Sequence, residues 1–147
     1  MIKKIAVTVA AVIEQNHRFL LVEERSNEHI VFNQPAGHLE PGETLLEAVT
    51  REVSEETGFS FQPVALLGFY LWTGKEANTT FLRLAFVGDV CPPNTTPILD
   101  EEIITTHWLR RKDILAKQSR LRSPLVLRCI NDYLDGIRYP LSILKYL

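Results

Sequence analysis

Apolar and polar residues alternate along some stretches of the chain and recur every fourth position in others. "KKIAVTVAAVI" (3–13) and "RFLLVEE" (18–24) are β-branched or apolar runs around the polar "EQNH", the pattern of a hairpin. Residues 24–30 read as a loop. "IVFNQPAGHLEPGET" starts as a short strand and becomes a long loop punctuated by Pro and Gly. A helix follows. Thr44 and Glu47 have the spacing of a capping box, Leu45, Val49 and Val53 recur at every fourth position, and Gly58 stands where a left-handed residue ends such a helix. "PVALLGFYLWTG" and "TTFLRLAFVGDV" predict two strands joined at "KEAN". "CPPNTTPILDEE" reads as a loop, "IITTHWL" as a strand and "RKDILAKQ" as a short helix. "SPLVLRCINDYLDG" predicts a last helix, with Ser123 as N-cap, Pro124 at its first position and Gly136 beyond its end. Strands and helices are interspersed without strict alternation. That predicts an α/β fold with a mixed β-sheet and helices packed on it.

Length and composition narrow this picture. A chain of 147 residues fits one domain, 1–147, and can bury roughly 68–70% of its unfolded surface without disulfides or a structural metal. Sixteen basic and 18 acidic residues give a net charge of −2, with no basic excess to advertise a nucleic-acid partner. Lys3 and Lys4 before an apolar run imitate a signal peptide, but Val7 and Val9 alternate as in a strand and no A-x-A-like site follows. No apolar run approaches the ~18–20 residues that span a bilayer, so no membrane partner is expected. Cys91 and Cys129 are far apart and form no C-x-x-C pair; they are expected to be reduced core residues of a cytoplasmic protein. The apolar end "LSILKYL" is expected to fold back on the sheet, which favours a monomer over a homodimer.

The chemistry concentrates in "REVSEETG" (51–58). On a helical wheel with Leu45 at zero, Glu56 falls near 20°, Glu52 near 340° and Glu55 near 280°, at about 100° per residue. The three carboxylates share one arc beside the apolar stripe, while Thr50 and Ser54 take the far face. An acidic run is ordinarily a solvated helix face. Here the charges edge the core, repel one another and sit at the negative pole of the helix dipole. A divalent cation removes all three penalties, and clustered carboxylate oxygens suit Mg²⁺ or Mn²⁺. "GHLEPGET" nearly matches a phosphate-binding P-loop, but Glu43 stands where that motif needs lysine, and a carboxylate there repels phosphate.

From Gly37 to Phe59 the chain reads "GHLEPGETLLEAVTREVSEETGF". This resembles a complete Nudix box, its fixed positions filled by Gly37, Glu43, Arg51, Glu52, Val53, Glu55, Glu56, Gly58 and Phe59. "FNQPAGHLE" (32–40), "FLRLAF" (81–86), "LRSPLV" (121–126) and "RYPL" (138–141) look like the NudJ-type phosphatases within that family. The resemblance implies an α/β/α sandwich and a Mg²⁺- or Mn²⁺-dependent hydrolase of diphosphates linked to another group. For the NudJ type it implies nucleoside tri- and diphosphates or hydroxymethylpyrimidine pyrophosphate as substrates, with release of orthophosphate. It makes Glu52, Glu55 and Glu56 metal ligands, aided by the Gly37 carbonyl, and Glu43 and Arg51 an ion pair bracing loop against helix. On the wheel Arg51 lies near 240°, off the carboxylate arc at about 100° per residue, and so is free to face the loop. Glu52, Glu55 or a later glutamate would activate water. Outside the helix the candidates are Glu101 and Glu102, of which Glu102 is preferred.

Other residues weigh less. Arg83 is out of place in an apolar strand, either as an outward-facing charge or as a phosphate clamp. Arg122, Arg138 and Tyr139 are candidates for substrate binding from the C-terminal region. His38 reads as a loop residue, and His17, His29 and His107 have no paired spacing for zinc. Trp72 and Trp108 read as core or pocket wall rather than base-stacking platforms. The absence of G-x-S-x-G weighs against a serine hydrolase. Two further functions compete with the phosphatase: a nucleotide-sugar or dinucleoside-polyphosphate pyrophosphatase, and a non-catalytic nucleotide-sensing domain. The complete box argues against the sensor.

Overall fold

The strands form two four-stranded sheets in the computed structural model, which describes residues 3–75 and 78–147. In the first, the order is β5 (Ala36–His38), β1 (Lys4–Val12), β7 (Thr79–Cys91), β6 (Ser60–Thr73). β1 runs parallel to β7 and antiparallel to β5; β6 and β7 are an antiparallel hairpin. Of its predicted turn "KEAN", Glu76 and Ala77 lie outside the described residues. The second sheet joins β2 (Glu14–Gln15), β3 (Arg18–Ser26) and β4 (His29–Asn33), with β8 (Ile103–Leu109) paired to β3.

The predicted first hairpin therefore needs correction. β1 and β3 belong to different sheets, and the hairpin is the short β2–β3 pair, closed by Asn16 and His17 at φ of 50° and 63°. The reason is burial. β1 sends Val9 and Ala11 into one apolar cluster and Val12 into another, so both its faces are buried and it suits the middle of a sheet. Residues 24–30 are not a loop either. β3 continues to Ser26, and Asn27 and Glu28, at φ of 47° and 66°, turn the chain tightly into β4.

Helices cover the sheets. α1 (Leu45–Thr57) packs with Ala48, Val49 and Val53 against Val9, Leu84 and Phe86. On the other side α3 (Leu125–Leu134) packs Val126, Cys129 and Ile130 against Phe19, Leu21, Ala85 and Val87, joined by Ile114 from α2 (Arg111–Ala116). Neighbours such as Leu20 and Leu21, or Leu84 and Ala85, enter opposite clusters, as the period of two requires. The result is the expected α/β sandwich on a mixed sheet. The tail folds back: Tyr139 exchanges backbone hydrogen bonds with Leu66, and Leu141 and Leu144 pack on the α1 cluster. Cys129 is buried as expected. Cys91 is exposed, because β7 has left the core by its last residue.

Candidate active site

α1 is positioned at both ends by local chemistry. Thr44 Oγ1 accepts from the Glu47 N–H at 3.1 Å and the Thr44 N–H donates to Glu47 Oε1 at 3.0 Å, the predicted capping box. Gly58, at φ 78°, ends the helix, and its N–H donates to the Ser54 carbonyl. A Cβ there would also strike the Pro97 ring, so the loop between β7 and β8 lies against the helix end. A backbone bond ties that loop to the helix: the Asp100 N–H donates to the Glu55 carbonyl at 2.9 Å. It brings a carboxylate from a distant part of the chain to the last turn of α1.

Glu52, Glu55 and Asp100 offer oxygens that all lie within 4.8 Å of one another. Glu52 is buried and Glu55 and Asp100 are half-buried. Gly37, on β5, is pressed so close that a Cβ would overlap the Glu52 carboxyl. Arg51 ties the group together. Its Nε and Nη2 donate to Glu43 at 3.0 and 2.7 Å, its Nη1 to Glu52 at 2.8 Å and Glu55 at 3.1 Å, and its Nη2 to the His38 carbonyl at 3.0 Å. Arg51 is thus not set apart from the carboxylate arc; its long side chain curls back and spans loop and arc together. Of these residues Gly37, His38, Arg51, Glu52 and Glu55 line a cavity of about 490 Å³ with Glu24, Glu56, Glu102, Arg83, Arg122, Trp72 and Phe81, while Asp100 and Glu43 do not line it.

Residues 3–128 match the NUDIX domain family. The chain belongs to the Nudix family. It is 44% identical to a phosphatase NudJ of Shigella boydii over 141 residues, 94% of this chain and 89% of that protein. It is 43% identical to phosphatase NudJ of Escherichia coli K12, with the same coverage. Among solved structures, a NUDIX hydrolase from Nitrosomonas europaea is 51% identical and superposes with a TM-score of 0.93 over 97% of each chain. The protein is accordingly a Nudix hydrolase of NudJ type, acting on phosphoanhydride substrates.

The Nudix carboxylates are under electrostatic stress. Burial pushes the Glu52 carboxyl up to about 7, against the pull of Arg51 and with the help of the Glu55 and Asp100 charges. Burial pushes Glu56 up to about 9, although it accepts the Ala36 N–H at 2.9 Å; Glu24, Glu52 and Asp100 add to the rise. Asp100 is raised by burial and by Glu102. Glu43 alone is lowered, chiefly by its hydrogen bonds from Arg51. Crowded oxygen donors that resist ionisation, beside a backbone with no side chain in the way, fit a hard divalent cation of the kind the family uses.

The other predicted residues divide clearly. Arg83 faces inward, 4% exposed, so the outward-facing reading fails. Its Nη1 donates to Gln34 Oε1 at 2.8 Å and its Nη2 to Asn33 Oδ1 at 3.1 Å, and its buried Nε has no partner among the described residues. Arg122 lines the cavity but donates to the buried Glu24 at 2.7 Å. Glu102 lines the cavity and is exposed; Glu101 is exposed and does not line it. Tyr139 is not brought to this cavity. Its backbone is held by Leu66, and it lines a neighbouring groove with Phe69, Leu71 and Ile143. Arg138 lies over the Tyr133 ring, 4.2 Å from its centroid, also away from the site. The sequence reading missed Asp100 and Glu24. Asp100 stood beside Glu101 and Glu102 in "LDEEI", and only the loop's bond to α1 singles it out. Glu24 looked like the end of a strand; its burial depends on pairing with Arg122.

Proposed function

We propose that this protein hydrolyses the phosphoanhydride of nucleoside tri- and diphosphates, or of small pyrophosphates such as hydroxymethylpyrimidine pyrophosphate, with Mg²⁺ or Mn²⁺, and releases orthophosphate. The observation that carries this reading is the convergence of Glu52, Glu55 and Asp100 within 4.8 Å, of which Glu52 and Glu55 line the cavity. The relatives named phosphatase NudJ support the substrate class.

Glu52, Glu55 and Asp100 would hold the cation, with Glu56 and the Gly37 carbonyl beside them. A bound cation supplies charge neutralisation to the phosphates and acidifies coordinated water. Arg51 holds Glu52 and Glu55 in place and keeps Glu43 against the helix. Water attacks phosphorus: a new P–O bond forms, the bridging P–O bond breaks, and the leaving phosphate takes the electron pair. A carboxylate accepts the water's proton. Glu102, exposed on the cavity wall, is the preferred base, with Glu55 as the alternative.

The test is a panel of pyrophosphates with Mg²⁺. Orthophosphate from a nucleoside triphosphate or a pyrimidine pyrophosphate is expected; a mononucleotide plus a sugar phosphate would point to nucleotide sugars instead. Glu55→Gln should abolish turnover with the fold intact. Full rate in that variant would refute the metal role, and binding without turnover in the wild type would favour a sensor.

A further inference from the structure

The cavity has an end that hydrolysis does not use. Its sheet residues follow strand order: His38 on β5 pairs with Thr8 on β1, Thr8 with Arg83 on β7, and Phe81 on β7 with Trp72 on β6. All five line the cavity. With strands about 4.8 Å apart, Arg83 lies roughly 10 Å and Trp72 roughly 14 Å across the sheet from His38. A phosphoanhydride seated at Glu52 and Gly37 has β7 and β6 within reach of its organic group along this wall of the cavity.

Two independent features meet there. Trp72 and Phe81 are stacked, with centroids 5.8 Å apart and planes at 20°, and both border the cavity. Beside them Arg83 carries a buried charge with no carboxylate within salt-bridge range among the described residues. A buried cation is costly unless an electronegative partner approaches it. Both its Nη atoms are already engaged by Asn33 and Gln34, so its fork is not open for bidentate phosphate binding. What remains is a positive field next to an aromatic wall.

We propose that Trp72, Phe81 and Arg83 form the subsite for the organic group of the substrate, and that they select a planar ring with an electronegative edge, such as a nucleobase or another heteroaromatic ring, over an aliphatic chain. The proposal rests on the phosphohydrolase reading for the orientation of the substrate. Its first test does not need turnover. In Trp108→Phe, Trp72 is the sole remaining tryptophan, because the chain has two. Uridine monophosphate should quench its fluorescence saturably, and ribose 5-phosphate should not. No quenching by the nucleotide, or equal quenching by both, overturns the subsite whether or not the protein hydrolyses anything.

The second test is kinetic. In Trp72→Leu and Phe81→Leu the ratio of kcat/KM for uridine diphosphate to that for tripolyphosphate should fall about tenfold or more, as expected when a base loses its stacking partner. An equal loss on tripolyphosphate or on an alkyl diphosphate would make the pair a plain apolar wall and overturn the proposal. A wild type with no turnover on any of these, but with selective quenching by the nucleotide, refutes the hydrolytic reading and leaves the subsite standing.

Discussion

Arg51 and Arg83 line one cavity in opposite surroundings. Arg51 faces Glu43, Glu52 and Glu55, and its charge is more than balanced; among the described residues Arg83 donates to the neutral oxygens of Asn33 and Gln34 and to the Cys129 sulfur, and to no carboxylate. The contrast divides the cavity by task. Around Arg51 negative charge is in excess, and what enters must bring cations. Around Arg83 positive charge is in excess, and what enters must bring electronegative atoms. A metal-bound pyrophosphate carrying an organic group has those two poles in that order.

The comparison can be broken from the acidic pole first. Gly37→Ala should lower activity more than the ~10–100-fold typical of a supporting residue, because the new Cβ overlaps the Glu52 carboxyl. Steady-state kinetics and circular dichroism together would show the loss with the helix content unchanged. Next, Arg51→Ala leaves Glu43 and Glu52 without their partner. It should cost about 1–3 kcal/mol in denaturant titrations, since the hydrogen bonds lost are charged and partly buried. Activity should fall with it.

A pH series sharpens the same pole. Without metal, Glu56 keeps its proton in the folded state up to about 9, while in the unfolded chain it ionises at its ordinary value of 4.5. Its contribution to stability is complete below that ordinary value and is lost as pH rises through the folded one. Glu52, raised to about 7, adds the same trend over a narrower window. Thermal melts in chelator should therefore show falling stability from about pH 5 to about pH 9, and Glu56→Gln should flatten the curve. The smallest effect belongs to the other pole. Arg83→Met should change stability by less than about 1 kcal/mol, because relief of the buried charge offsets the two acceptors left on Asn33 and Gln34. A loss as large as that of Arg51→Ala would erase the distinction between the two arginines.

Much of this molecule could be read before its structure. The capping box at Thr44 and Glu47, the left-handed Gly58 and the arc of glutamates are all written within a few residues of one another, at spacings that the helix geometry itself imposes. The Nudix box is legible for the same reason. The β6–β7 hairpin and the final helix were likewise local patterns. The first hairpin misled because apolar alternation marks a strand without naming its partner. β1 has the composition of a central strand, and its true neighbours, β5 and β7, come later in the chain.

What the sequence by itself determined is the set of groups that neighbouring residues hold in place: a capped helix with carboxylates on one arc, and with them the family and the class of reaction. Tertiary structure decided which distant residues join that arc. Asp100 arrives through a backbone bond to Glu55, Arg83 is turned inward by its register on β7, and Tyr139 is held in a different groove. The physical reason is range. Helix geometry and capping act over a few residues, whereas burial, strand pairing and the field inside a cavity depend on segments whose proximity only the folded chain establishes.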